Sequence, residues 1–334
     1  MRVNKELKVI RELLSLTQED LALNIGVSLD TISRWENEKT EIEEKNIDAI
    51  YNYALEKGIN INKIYEQIFY EDCEKTNSKL LFHGARNIIE LPLDLKYSKE
   101  NNDFGKGFYL GENFEQASTY IANTSSKYVY SFSLNVNNLK VEKFNVDTEW
   151  MLAIAYYRGW LHNYNQNELI INIIKKVENA DIIIAPIADN RMFDLISEFV
   201  DGAITNEQCE HALAATNLGN QYVIKSKKAL EKLDFIKLFF LSSKEKEMYK
   251  NKRLENNNIN LNKVKVARIE YRGKGQYIDE LLKWKSWILM KENYVKYKEK
   301  YLKNQRIKSN VVLWFLLEGL CYQTYQKNST IIVF

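Results

Sequence analysis

The residues best suited to bind a ligand lie between positions 83 and 221 of this 334-residue chain. His83 is followed directly by Gly84, and a glycine there lets a flat ligand approach the backbone closely. Tyr109 ends the run of residues 105–109 (GKGFY) and Tyr120 follows, so two rings are available for stacking. Each signal also has an ordinary explanation. His-Gly pairs are common at strand ends, the paired glycines could mark a bulge, and Tyr120 could belong to the core.

The composition excludes several other chemistries. Three histidines and three cysteines occur without metal-ligand spacing, so we expect no metal site. The cysteines lie far apart and lack CxxC spacing, which predicts reduced thiols in a cytoplasmic protein. No apolar run is long enough to cross a membrane and no leader is recognisable, so we expect no membrane partner.

The elements that must position these residues are predicted from hydrophobic periodicity. Strands are expected at residues 79–82, 127–134, 180–189 and 220–224, and helices at 114–121, 147–160, 192–199 and 205–215. This mixture predicts an α+β domain over residues 79–234. The polar residues 71–79 (EDCEKTNSK) are predicted to be a linker.

Four pieces of this domain match a known pattern in order: a strand ending His83-Gly84, the Gly-x-Gly-aromatic-Tyr strand at residues 105–109 (GKGFY), a helix two turns later, and Tyr120 closing that helix segment. They resemble the ADP-ribosyltransferase superfamily, in the His-Tyr-Glu branch that includes poly(ADP-ribose) polymerases and diphtheria toxin. Residues 103–110 (DFGKGFYL), the segment Ala188-Asp189-Asn190 and the late strand at 220–224 (NQYVI) make the domain still more similar to a bacterial family of uncharacterised ADP-ribosyltransferase-like domains. That family is often encoded beside or fused to helix-turn-helix modules in toxin–antitoxin or phage-defence settings. The resemblance covers residues 79–234 and implies a split β-sheet with helices and NAD⁺ as substrate.

The resemblance also implies a role for each residue. His83 would bind the adenosine-side ribose, and the backbone of Gly84 would hold the nicotinamide amide. Tyr109 and Tyr120 would sandwich the nicotinamide ring. Arg158, on the helix expected at 147–160, could contact a pyrophosphate or serve in a salt bridge. Two polar residues after the strand expected at 180–189 complete the cofactor-binding set: Asp189 and Asn190.

Gln221 occupies the position of the glutamate that, in the His-Tyr-Glu branch, binds the nicotinamide ribose and stabilises developing positive charge. An amide can accept the same hydrogen bond but brings no negative charge. The substrate could supply that charge, a loop acid could reach in, or the domain could bind NAD⁺ without turnover. The candidate acids are Asp189, Asp201, Glu207 and Glu210. The similar bacterial family also tends to have glutamine here, so the implied catalytic set is His83, Tyr109 and Gln221, and mono-ADP-ribosylation is favoured over chain elongation.

Residues 1–70 predict a separate all-α domain of five helices, with the last two at 44–56 and 61–70. Residues 17–36 (TQEDLALNIGVSLDTISRWE) resemble the Cro/cI repressor-type helix-turn-helix family, which implies a phosphate contact from Gln18. The residues implied to face the major groove are Ser28, Asp30, Thr31 and Arg34. The domain has a net charge of −4, whereas phosphate contacts need cations, so a docking or dimerisation role stays open.

Charge is distributed unevenly along the rest of the chain. Residues 71–224 carry a net charge of −8 and residues 225–334 carry +14. Residues 235–334 are predicted to be a mostly helical basic region, with a loop at 256–262 and a strand at 264–271. Its lysines interleave with aromatic residues, which suits single-stranded DNA or RNA. A basic helix face over an aromatic core, or an acidic protein partner, fits the pattern as well.

Together these features predict a mono-ADP-ribosyltransferase that modifies nucleic acid or protein. It would act as a bacterial or phage toxin or defence effector with an antitoxin or regulatory partner. The alternative is a helix-turn-helix transcriptional regulator whose second domain senses NAD⁺ or ADP-ribose without catalysis. A third hypothesis is a nucleic-acid binder that uses the basic region, with a purely structural middle domain.

Overall fold

A computed structural model describes residues 3–216 and 218–282, the side chain of Tyr97 excepted, and it has an α+β architecture. These residues belong to one compact unit. The predictions made for residues 283–334 lie outside the described residues. Within the described ranges, no helix is both long enough and apolar enough to cross a membrane.

Five helices form the N-terminal part, as expected. They are α1 (Val3–Leu13), α2 (Gln18–Ile25), α3 (Leu29–Glu36), α4 (Glu44–Glu56) and α5 (Ile61–Lys75). Thr17 and Asp20 form the expected capping box at the start of α2, because each side chain accepts a hydrogen bond from the backbone N–H of the other. Gly26 takes a left-handed conformation with φ of 75° and ends α2, which allows the tight turn into α3.

The prediction of a linker at residues 71–79 was wrong, because α5 continues to Lys75. Cys73 is buried in the same core cluster as Phe82 and Phe239, so the last turn of the helix is anchored in the core of the second domain. This packing overrides the polar composition of the segment. A continuous helix therefore leads from the helix-turn-helix into the sheet.

The second domain is built on a mixed sheet of seven strands. They are β1 (Lys79–Gly84), β2 (Phe108–Gly111), β3 (Tyr128–Leu134), β4 (Val141–Lys143), β5 (Ile182–Pro186), β6 (Asn220–Ile224) and β7 (Leu233–Phe240). Their order is β4-β5-β6-β2-β1-β3-β7, and the parallel pair is β4-β5. β1 and β2 share a single register pair, Phe82 with Gly111, whereas β1 pairs with β3 along its whole length. The sheet is thus nearly divided between β1 and β2.

Within the described part of the chain, seven further α-helices cover the sheet. They are α6 (Phe114–Ile121), α7 (Thr148–Tyr157), α8 (Glu168–Glu178), α9 (Asn190–Val200), α10 (Asn206–Ala214), α11 (Lys227–Leu230) and α12 (Ser243–Glu270). The helices expected at 114–121, 147–160, 192–199 and 205–215 are confirmed. The limit expected at residue 234 falls inside β7, which pairs with β3 and belongs to the sheet.

The loop expected at 256–262 and the strand expected at 264–271 were wrong, because residues 256–270 lie within α12 and Tyr271 is its C-cap. Tyr249 near the start of this helix is buried against α6 and the sheet, and Ala267 near its end is buried in the core formed with α7–α10. Two buried anchors hold the helix at both ends. Because both ends are held, the asparagine-rich stretch between them stays helical although it is largely exposed.

Candidate functional site

The backbone of β2 sets the protonation of His83, at the end of β1. Nδ1 of His83 lies 2.6 Å from the carbonyl oxygen of Tyr109. A carbonyl oxygen can only accept, so Nδ1 carries the proton and Nε2 is the acceptor nitrogen. The ring stacks on Phe108 with a centroid separation of 4.6 Å. Burial lowers the pKa of His83, so the neutral imidazole can accept a hydrogen bond from a ligand hydroxyl at Nε2.

At Gly84, α6 approaches β1 closely. A Cβ atom at this position would lie 2.4 Å from the carbonyl oxygen of Ala117 and 3.0 Å from a methyl carbon of Ile121. Any side chain would push α6 away from the strand. Glycine after His83 is therefore required by packing.

Tyr120 lies on the outer face of α6 and is 56% exposed. The interpretation that it belongs to the core was therefore wrong. The guanidinium of Arg86 lies 5.8 Å from the centroid of its ring, within cation–π range. An exposed ring on the helix that packs against Gly84 offers a stacking surface beside the end of β1.

Tyr109 faces the opposite side of the sheet from His83. Neighbouring residues of a strand point to opposite faces, and Phe108 already occupies the face of His83. The Tyr109 hydroxyl accepts from the backbone N–H of Phe104 at 3.0 Å and donates to the carbonyl oxygen of Gly105 at 2.8 Å. Burial raises the pKa of Tyr109. The structure thus uses this hydroxyl to hold the loop before β2 and does not bring the ring beside His83.

Gln221 is buried at the start of β6, where it pairs in register with Gly111. Its Nε2 donates to Oδ2 of Asp103 at 3.2 Å and to the carbonyl oxygen of Pro186 at 3.1 Å. Both partners can only accept, so the amide nitrogen must face them and Oε1 is the acceptor that remains. Gln221 can therefore accept a hydrogen bond from a ligand hydroxyl.

Asp103 is a buried acid beside Gln221 that the sequence motifs did not indicate. It is 8% exposed, and its Oδ1 accepts a hydrogen bond from Nη2 of Arg158 at 2.7 Å. Arg158 in turn stacks on Phe193, with its guanidinium carbon 3.3 Å from the ring centroid. Of the two roles considered for Arg158, the structure has the salt bridge. Asp103 is the first residue of the run DFGKGFYL, and nothing in that run predicts that Asp103 contacts Gln221.

The acids considered from sequence occupy other places. Asp189 caps α9 by accepting from the backbone N–H groups of Arg191 and Met192, and it also pairs with the guanidinium of Arg191. Asn190 is exposed as the first residue of α9. Among the described residues, no hydrogen bond or ion pair links Gln221 to any of the four candidate acids, which are Asp189, Asp201, Glu207 and Glu210.

A cleft of about 400 Å³ opens at the other end of β6. Its lining includes Lys106 of the loop before β2, Tyr156 and Tyr157 at the end of α7, and Lys225 after β6. Lys225 Nζ donates to the carbonyl oxygen of Phe104 at 2.7 Å, and burial lowers the pKa of Lys225. The cleft is therefore a separate feature from the surroundings of Gln221, which lies at the start of the same strand.

The residues implied to contact DNA lie on α2 and α3. Ser28 caps α3 by accepting from the backbone N–H of Thr31 at 3.1 Å. Arg34 pairs with Asp30 at 2.9 Å on an exposed surface. Gln18 Nε2 donates to the glutamate that ends α3 at 2.8 Å. Bound DNA would have to replace the intramolecular partners of Arg34 and Gln18.

Two parts of the chain match family models. Residues 7–52 match a family described as helix-turn-helix, and residues 80–235 match a family described as a protein of unknown function (DUF3990). No curated protein and no solved structure matches the chain. The first match confirms the predicted N-terminal helix-turn-helix, and that module indicates DNA binding. The second match spans His83 to Gln221 and carries no activity with it.

Proposed function

We propose that the protein is a mono-ADP-ribosyltransferase that transfers ADP-ribose from NAD⁺ to nucleic acid or protein. The observation that carries the proposal is the neutral acceptor atom Nε2 of His83. Oε1 of Gln221 is a second oriented acceptor, and it lies on the opposite face of the sheet because Gln221 pairs with Gly111 and Gly111 with Phe82. The His83 ring is oriented by the hydrogen bond from its Nδ1 to the Tyr109 carbonyl oxygen. The Gln221 amide is oriented by the hydrogen bond from its Nε2 to Asp103. Ribose hydroxyls are donors that suit such acceptors.

The divided sheet supports the same function. Beyond the single pair of Phe82 with Gly111, β1 has no register partner in β2, so the backbone of Gly84 is not paired with β2. A planar carboxamide can be held there by backbone groups, as the resemblance implies for nicotinamide. Tyr120 offers its exposed ring for stacking, and Arg86 has no carboxylate partner among the described residues and can contact the pyrophosphate.

The proposed reaction breaks the bond between C1′ of the ribose and the nicotinamide nitrogen. The bonding pair stays on that nitrogen, so neutral nicotinamide leaves. A lone pair of the acceptor forms the new bond to C1′, and the acceptor proton goes to solvent. Positive charge develops at C1′ in the transition state, as in glycoside hydrolysis. Gln221 holds the ribose hydroxyl beside this carbon, and the hydroxyl of Tyr109 holds the loop that carries Asp103.

The test is release of nicotinamide and labelling of a macromolecule when the full chain is incubated with adenylate-labelled NAD⁺ and cell lysate. His83→Ala removes the ribose acceptor and should abolish both signals. Tyr70→Ala is the matched control, because Tyr70 is an exposed residue of α5 outside the candidate site. The proposal fails if the wild type releases no nicotinamide, or if His83→Ala behaves like the wild type.

A second candidate is a transcriptional regulator that senses NAD⁺ or ADP-ribose. The match of residues 7–52 and the continuity of α5 with the second domain favour it. It predicts DNA binding that changes when NAD⁺ is added, in a protein without turnover. A gel shift against DNA from upstream of its own gene, with and without NAD⁺, is combined with the nicotinamide-release assay. The regulator binds this DNA in an NAD⁺-dependent way and releases no nicotinamide, whereas the transferase releases nicotinamide without DNA.

A further inference from the structure

We propose that Asp103 acts as a positioning residue that gives the Gln221 amide both its orientation and its negative polarity. This inference rests on the proposed function. Asp103 Oδ2 lies 3.2 Å from Gln221 Nε2, and the two side chains are 8% and 7% exposed. In transferases of the His-Tyr-Glu branch, the ribose-binding residue itself carries a negative charge. Here that charge would be on Asp103, which is hydrogen-bonded to the ribose-binding Gln221.

The first effect of Asp103 is on orientation. A glutamine amide can rotate by half a turn, which exchanges its oxygen and nitrogen at almost no intrinsic cost. Asp103 and the Pro186 carbonyl are both acceptors, so the rotated amide would place its oxygen against two oxygens and lose both hydrogen bonds. Oε1 of Gln221 is therefore held away from Asp103, in the orientation needed to accept from a ribose hydroxyl.

The second effect is on charge. A hydrogen bond from Nε2 to a carboxylate polarises the amide and increases the negative charge on Oε1, and the effect is strong where water is excluded. Arg158 binds the other carboxylate oxygen, Oδ1, and stacks on Phe193. This arrangement holds the Asp103 carboxylate in place and leaves Oδ2 directed at Gln221.

The same geometry explains why position 221 carries an amide. A carboxylate there would face the Asp103 carboxylate and the Pro186 carbonyl with no proton to share between three acceptors. Q221E should therefore lower activity, although it restores the residue of the His-Tyr-Glu branch. The double variant D103N/Q221E exchanges the two groups and again pairs one amide with one carboxylate, so it should recover part of the activity. The recovery is partial because the Pro186 carbonyl then faces a carboxylate and Arg158 loses its carboxylate partner.

The experiment measures kcat and KM for nicotinamide release by the wild type, D103N, Q221E and the double variant of the full chain. We expect each single change to lower kcat by about tenfold or more with KM changed by less than about threefold, and the double variant to exceed both. Glu100→Gln is the control, because it removes an exposed carboxylate from the same loop and should leave kcat unchanged.

Each other result has a definite reading. An active wild type with D103N of equal kcat, or with Q221E faster than the wild type, overturns this inference and leaves the proposed function standing. A wild type that releases no nicotinamide overturns the proposed function itself. Circular dichroism checks the fold of each variant. If D103N unfolds, the comparison between Q221E and the double variant still tests the inference. A double variant whose kcat does not exceed that of Q221E contradicts it.

Discussion

Asn62 of α5 donates its side-chain amide to the backbone carbonyl of Phe240, at the end of β7, over 2.8 Å. The Phe240 ring is fully buried in the core of the helix-turn-helix, edge-on to Tyr51 with a centroid separation of 5.7 Å. The helix-turn-helix and the sheet therefore share a core. When α3 binds DNA, this shared core would fix the position of the candidate site relative to the duplex.

This shared core should make the two domains unfold together. Glu6 of α1 accepts hydrogen bonds from Lys237 of β7 and from the hydroxyl of Tyr51; Glu6 is buried and Lys237 is partly buried. Lys237→Met leaves the Glu6 charge without its cation, and we expect it to lower the free energy of unfolding by about 3 kcal/mol. Urea denaturation followed by circular dichroism measures the change.

The exposed Lys8–Glu12 pair on α1 provides the control for this prediction. Lys8→Met should change the free energy of unfolding by less than about 0.5 kcal/mol. The double variant Glu6→Gln/Lys237→Met removes both charges and should recover much of the loss. Separate unfolding steps for the helix-turn-helix and the sheet in the wild type would contradict the shared core.

Glu245 should make stability depend on pH. Burial raises the pKa of Glu245 to about 7, against the hydrogen bonds from Asn62 and Asn60 and the charge of Lys63. Because the pKa is higher in the folded state, the stabilisation is complete below about pH 4.5 and is lost as pH rises through about 7. The free energy of unfolding should fall by up to about 3 kcal/mol across this window.

Urea midpoints measured across about pH 4.5 to 8 check this dependence. The glutamine in Glu245→Gln cannot ionise, so the decrease in unfolding free energy with pH that comes from Glu245 should disappear. Glu247→Gln, on the exposed side of the same helix, should keep the slope of the wild type. A Glu245→Gln variant with the slope of the wild type would rule out Glu245 as its source.

Two substitutions on α3 should change DNA affinity in opposite directions. Arg34 pairs with Asp30 on the exposed helix surface. Arg34→Ala removes a cation and should weaken binding by about tenfold. Asp30→Ala removes a negative charge near the phosphates and releases Arg34, so binding should strengthen and persist to higher salt.

Fluorescence anisotropy with a duplex selected from a randomised pool measures both effects. Lys57→Ala, an exposed change after α4, is the control for a general loss of positive charge. Equal weakening by Arg34→Ala and Lys57→Ala would indicate that α3 is not the DNA-contacting helix.

Tyr120 should contribute to NAD⁺ binding through its ring and not through its hydroxyl. The ring is exposed, and Arg86 lies over one face. Tyr120→Ala should weaken NAD⁺ binding by about tenfold, whereas Tyr120→Phe keeps the stacking surface and should bind as the wild type does. Isothermal titration with NAD⁺ distinguishes them. If Tyr120→Ala binds NAD⁺ as tightly as Tyr120→Phe, the ring does not stack on the ligand.

Local patterns in the sequence predicted most elements, including α4 and α6 to the residue and the strand at 220–224. Periodicity and capping residues encode such elements directly. The failures at 71–79 and 256–271 have one cause. Both segments are polar, and buried residues distant in sequence, such as Phe239 for Cys73, hold them as helix.

The sequence by itself determined the helix-turn-helix, the strand that ends at His83, and the position of Gln221 at the start of a strand. Only the tertiary structure decided that Asp103 meets Gln221, across 118 positions of chain, and that Tyr109 turns away from His83. Both depend on strand register, and a shift of one residue in register reverses the face of every side chain. Local propensity carries no information about that register, so the partner of the buried amide became visible only with the sheet assembled.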